Sequence, residues 1–227
     1  MAERRHPIQD RAQHADRLID QGDLIGPIVR VQVQTEPLKH GERGSRWYDP
    51  TPITEVAGLR LEPVGVRCLD GNGEPALLDV HHRDHARSRY RGENGVSLGF
   101  TSHYDRMRAA FGRHLTDGVA GENILVASDR DWTETDLAGG VAIETAGGFV
   151  RLARISVAKP CVEFSTFCLG LAVGARPDRR VTAALQALDN GVRGFYATWN
   201  PNGGDPAPLI RPGDRVYRLE SSVTPSR

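Results

Sequence analysis

From residue 27 to residue 220 the chain is a succession of short apolar runs cut by glycine and proline, and this punctuation constrains its fold more than any other feature. "PIVRVQVQT" (27–35) sets Ile28, Val29, Val31 and Val33 among polar residues. "PALLDV" (75–80), "NILVAS" (123–128), "GVAIET" (140–145), "GFVRLARISVA" (148–158), "RGFYATW" (193–199) and "DRVYRLE" (214–220) follow. "AGG" at 138–140 and 146–148 and "RPGD" at 211–214 supply turns. Short strands at this spacing predict a mainly β chain with a few helices, an α+β fold built on a barrel-like mixed sheet. Within 148–158 the apolar phase slips: Val150 and Leu152 share one face, Ile155 and Val157 the other. One extra residue near Ala153–Arg154, a β-bulge, accounts for the slip.

Three segments carry helical spacing. In "SHYDRMRAAFG", Tyr104, Met107 and Phe111 form a stripe, Ser102 and Asp105 have capping-box spacing, and Gly112 ends the run. In "PDRRVTAALQALDNG", Val181, Ala184, Leu185 and Leu188 share a face, with Pro177 in the first turn and Asn190–Gly191 at the exit. A thinner stripe, Ala12, Ala15, Leu18 and Ile19, precedes Gly22. "NPNGGDPAP" (200–208) reads as a loop.

Composition limits the function classes. Lysine plus arginine and aspartate plus glutamate number 29 each, so there is no domain-wide positive charge to neutralise nucleic-acid phosphates. No apolar run is long enough to span a bilayer, and "MAERRHPIQD" has no apolar leader core, which leaves a cytoplasmic protein as the expectation. Three cysteines, Cys68, Cys161 and Cys168, read as free thiols.

Four places can carry chemistry. Cys161 follows Pro160 at the end of a strand, where the chain must leave its sheet. A thiol there is either a buried filler or a group presented from a rigid support; reactivity requires positive charge nearby, and Lys159 and Glu163 pull in opposite directions. "DVHHRDHARSRYRGENG" (79–95) places His81, His82 and His85 within five residues, followed by Arg87, Arg89 and Arg91. This run can be a zinc or iron site completed by Asp79 or Asp84, an anion site, a proton-transfer site or a solvated loop. "DGVAGENILV" (117–126) brings Gly121, Glu122 and Asn123 to the mouth of a strand. In "NGVRGFYATW", Arg193 precedes Gly194 at a strand start, where backbone can approach a ligand while a guanidinium contacts phosphate or carboxylate.

Taken in order, "FG" with "GVAGENILV" (111–126), "VRLARISVAKPC" (150–161) and "GVRGFYATW…IRPGDRVYRL" near the end resemble the MOSC domain, named after the C-terminal part of molybdenum cofactor sulfurases. The resemblance implies a MOSC-type barrel over residues 58–220, with residues 1–57 as an N-terminal extension, a helix plus a strand packed on the core. It implies that Cys161 ligates the metal of a molybdenum–pterin cofactor or carries sulfur as a persulfide. Arg193, Gly194, Gly121, Glu122, Asn123, Lys159 and Arg91 become cofactor contacts, and Lys159 stands where arginine is common in the family. The expected activity is reduction of N-hydroxylated compounds or sulfur transfer on a small-molecule substrate. An electron-donor reductase or a sulfur donor is the expected partner, with neither nucleic acid nor membrane. Two alternatives stay open. One is an enzyme, with zinc, with iron or metal-free, that acts on a small anionic or sulfur-containing molecule through His81, His85 and Cys161. The other is a cofactor-binding module without turnover.

Overall fold

The computed structural model describes residues 22–42, 44–70, 72–173, 178–201 and 207–221. Its strands in chain order are β1 (Gly22–Gln34), β2 (Lys39–His40), β3 (Trp47–Tyr48), β4 (Ile53–Glu55), β5 (Leu59–Glu62), β6 (Gly65–Leu69), β7 (Pro75–Leu78) and β8 (Val96–Phe100). They continue with β9 (Ile124–Val126), β10 (Val141–Thr145), β11 (Gly148–Val157), β12 (Phe195–Thr198), β13 (Leu209–Ile210) and β14 (Arg215–Leu219). Helix α1 (Thr101–Phe111) lies between β8 and β9; α2 (Val162–Cys168) and α3 (Arg179–Ala187) lie between β11 and β12.

Seven strands close a mixed barrel in the order β14–β10–β11–β12–β8–β9–β1, with β1 pairing back to β14. The pair β8–β9 is parallel and the other barrel pairs are antiparallel. Parallel neighbours need a crossover, and α1 with the loop that follows it supplies one. Alternation fills the interior: Val31, Val33, Leu98, Phe100, Ile124, Val141, Ile143, Leu152, Phe195, Ala197 and Val216 are buried in one core. A second sheet, β13–β5–β6–β7, adds Leu59, Leu61, Val66 and Ile210 to it. β4 extends β1 beyond the ring, and β2 pairs with β3.

The strand inside the segment expected as an extension is a stave of the barrel. β1 lies between β14 and β9, so the boundary at residue 57 does not separate an added piece from a complete core. β1 bends to reach both neighbours through register shifts at Leu24/Gly26 and Ile28/Arg30. Gly26 is required at the first, since a Cβ there would stand 2.1 Å from the Ala127 carbonyl oxygen. The predicted slip in β11 is present: the register with β12 shifts between Ala153 and Ser156, and Arg154 adopts φ 51°. The thin helix expected over 12–19, Pro177 and most of the 200–208 loop lie outside the described residues.

Helix α1 buries Tyr104 and Met107 as its spacing predicts, but the Ser102/Asp105 capping box does not form. The cap position is Phe100 without a side-chain bond; Ser102 Oγ instead donates to the Arg130 carbonyl at 2.7 Å. The loop 128–132 competes for the hydroxyl, and its Arg130 carbonyl accepts from both Ser102 and Ser128. Helix α3 is capped by Asp178, which accepts from the Arg180 N–H, and buries Val181 and Ala184. The α2 turn was not foreseen in the apolar stretch that ends at Cys168. A second core of Leu38, Tyr48, Tyr104, Met107, Leu115, Phe164, Cys168, Leu188 and Val192 joins the helices to the barrel flank. Leu152→Ala, at a fully buried position of β11, is expected to cost about 2–5 kcal/mol, read by urea unfolding.

Candidate functional site

A cleft of about 1070 Å³ opens where the barrel wall at β8 and β12 meets the loops 37–46, 80–94, 120–122 and 156–161. Cys161, Lys159, His81, Arg91, Gly121, Glu122, Arg193 and Gly194 all line it. His85 and Asn123 do not.

The β11 bulge aims the strand end toward the cleft. Pro160 then stops the ladder, and Cys161 becomes the residue that caps α2, extended at φ −133° and ψ 159° and partly exposed. Its carbonyl accepts the first helical bond from Ser165 at 2.9 Å. Glu163, the nearby negative charge, is ion-paired with Lys39 at 3.4 Å. The other two thiols are structural. Cys68 is buried in the barrel core, where its sulfur accepts from the Leu77 N–H at 3.2 Å. Burial pushes the Cys168 thiol up to about 12, which keeps it protonated.

Arg193 stands opposite, its guanidinium 5.4 Å from the Phe164 ring centre. Burial works against its charge, and Tyr196, Tyr48 and Cys161 outweigh that, so the group stays cationic. Its Nε is buried without a hydrogen-bond partner among the described residues. Gly194, at φ 113°, makes the turn into β12; its carbonyl accepts from Ala158 at 3.0 Å and so ties Arg193 to the strand end that leads to Cys161. Arg46, Arg89, Arg91 and Lys159 also line the cleft, and among the described residues none of them has a carboxylate partner.

The "GEN" turn divides its work. Gly121, at φ 88°, has the left-handed conformation that the turn needs, and its carbonyl accepts from the Gln34 side chain. Glu122 accepts from the Tyr104 hydroxyl at 2.8 Å through Oε2, while Oε1 is buried and has no partner among the described residues. Burial lifts its carboxyl to about 7. Asn123 is fully internal: its Oδ1 accepts from the Ser97 N–H at 3.0 Å and Oγ at 2.9 Å, and its Nδ2 donates to Asp79 Oδ2 at 2.9 Å. It is a support behind the wall, not a ligand contact.

The three histidines diverge. His81 faces the cleft and donates from Nδ1 to Asp79 Oδ1 at 3.0 Å. His82 is buried, with Nε2 at 2.8 Å from Glu62 and Nδ1 accepting from the Asp84 N–H at 3.1 Å. His85 donates from Nε2 to the Thr35 carbonyl at 3.1 Å and accepts from the Arg87 N–H at 3.0 Å. His81 and His85 therefore do not converge on one ion. Among the described residues no group of three or more His, Cys, Asp or Glu stands where it could hold a metal. Asp79, a possible ligand by composition, is buried and fully engaged. Sequence reasoning missed Tyr196, Tyr48 and Arg46 as cleft residues, since each is a lone polar residue in a strand or loop and has no spacing to mark it.

No family model matches the chain, and no curated protein does. Solved structures to which the chain is similar include the YuaD protein from Bacillus subtilis, at 11% identity over 88% of this chain and 97% of that one, with a TM-score of 0.48. YiiM from Geobacillus stearothermophilus is 17% identical over 87% and 77% of the two chains, also at a TM-score of 0.48. Among the described residues no helix is long and apolar enough to cross a membrane.

The Glu122 carboxyl has a direct consequence. Its folded value of about 7 lies above the ordinary 4.5, so between these the folded chain holds a proton that the unfolded chain releases. Stability is expected to fall as pH rises through that window, by roughly 3 kcal/mol in all, and to level off above it. Urea unfolding across the window should show this slope in the wild type and lose it in Glu122→Gln.

Proposed function

We propose that the cleft takes an anionic cofactor or substrate and that Cys161 is its working sulfur, as in a MOSC-like molybdenum–pterin or sulfur-transfer site. The observation that carries this reading is the pairing of one partly exposed thiol with the half-buried cation Arg193 in a cleft edged by further arginines and lysine. Three sequence segments that resemble the MOSC domain contribute the "GEN" turn, Cys161 and Arg193, and these are cleft residues or their direct supports.

The residues fit such a group. The unpartnered Arg193 Nε is a donor without an acceptor, which an anionic oxygen would supply. Arg193, Lys159 and Arg91 would hold the anionic groups, the Gly121 and Gly194 backbone would admit a close approach, and Cys161 would be the soft ligand. A molybdenum–pterin group bound there supplies two-electron oxo-transfer, suited to reduction of N-hydroxylated compounds, with electrons from a partner reductase. In the sulfur-carrier form, the Cys161 thiolate attacks the outer sulfur of a donor persulfide. Cys161 leaves as a persulfide and the donor as a thiol.

The test is elemental and pterin analysis of protein purified from a host that makes molybdenum cofactor. Stoichiometric molybdenum and pterin are expected, with molybdenum lost in Cys161→Ala and cofactor affinity down about tenfold or more in Arg193→Gln. If neither is present, intact mass should show one added sulfur atom on Cys161. Cofactor-free protein with no added sulfur, or cofactor and sulfur retained without Cys161, would reject the proposal.

A further inference from the structure

Of the three histidines in the 81–85 run, His81 alone combines a ring fixed from behind with a ring nitrogen left open. Its backbone N–H and its Nδ1 both reach Asp79 Oδ1, at 2.7 and 3.0 Å. The second carboxylate oxygen accepts from the Gln34 N–H at 2.7 Å and from Asn123 Nδ2 at 2.9 Å. Asp79 has no exposed surface, and these four bonds hold it as a carboxylate against the cost of burial. A carboxylate only accepts, so Nδ1 must carry hydrogen. In the neutral ring the lone pair then belongs to Nε2. That nitrogen has no hydrogen-bond partner among the described residues, yet it is not sealed in the interior. The ring forms part of the cleft wall, with Tyr196 beside it at a centroid distance of 6.2 Å.

We propose that His81 is a proton-transfer group of this cleft and that Asp79, itself braced by Asn123, is its positioning residue. The arrangement turns a basic Nε2 toward whatever N–H, O–H or S–H group is brought into the cleft. Three of the four donors on Asp79 tie the cleft wall together, and the fourth is the ring N–H of a residue that lines the cleft. The proposal holds whether Cys161 ligates a cofactor or carries sulfur, so its failure is separate from failure of the cofactor reading.

The experiment uses the full chain labelled with nitrogen-15 in histidine. Long-range proton–nitrogen correlation at mildly alkaline pH reads the tautomer of each ring, with His81 assigned through His81→Gln. A single tautomer with hydrogen on Nδ1 is expected in the wild type, and a mixture of both in Asp79→Ala. In parallel, diethyl pyrocarbonate should modify His81 in the native protein while His82 and His85, whose ring nitrogens are engaged, stay protected. This comparison and the wild-type spectrum carry the test even if Asp79→Ala does not fold. Hydrogen on Nε2 in the wild type, an unchanged tautomer in folded Asp79→Ala, or protection of His81 equal to that of its neighbours would overturn the proposal.

Discussion

A single buried carboxylate, Asp79, ties together the three segments from which one side of the cleft is made. It takes a backbone N–H from the end of β1, the amide of Asn123 at the mouth of β9, and both donors of His81. An ion without water loses several kcal/mol of solvation, and this loss is offset only when its lone pairs are all used. The four donors therefore have to be in place together, which fixes β1, the "GEN" turn and the 79–82 loop relative to one another. Removing any one donor leaves a buried charge under-satisfied, so the wall of the cleft is all-or-nothing at this point.

Neutral overall, the chain is uneven locally. Among the described residues, surface ion pairs join about half of the arginines to a neighbouring carboxylate, as Arg215 with Glu144 and Arg106 with Asp131. In the cleft, Arg193 instead faces a thiol, two tyrosines and the ring of Phe164. A guanidinium in that setting keeps its charge with the Glu122 carboxyl as its nearby acidic group, and an incoming anion would meet it at a low effective dielectric. The same cleft holds Glu122 near neutrality, so one fold keeps a strong cation and a weak acid within one pocket.

Six of the seven barrel strands were legible as short apolar runs cut by glycine or proline, whereas β8, buried along its whole length and so without alternation, was not. Even the β11 bulge showed, as a one-residue slip between Leu152 and Ile155. The closure of the ring was not, since nothing local in β1 names β14 as its neighbour. In the site, Cys161 stood out through Pro160, and Arg193 through the glycines around it. The histidine run misled by density. Successive tight turns, from the Asp79 carbonyl to His82 and from the His82 carbonyl to His85, rotate each ring to a different side. Spacing along the chain could not show that only one of them reaches the cleft. Asn123 looked like a ligand contact because it sits beside Glu122, whereas alternation at a strand mouth sends the two side chains to opposite duties.

The pairing of β1 with β14 joins residues as far apart as Asp23 and Arg218, separated by 195 positions. Contacts of such span form late, since the loop between them must first be ordered. During synthesis, β1 can lie beside β9 long before β14 has emerged, and its other edge meanwhile stays open. The barrel thus closes only once β14 has been made: a nascent chain that stalls anywhere before residue 215 presents an unpaired edge to its neighbours.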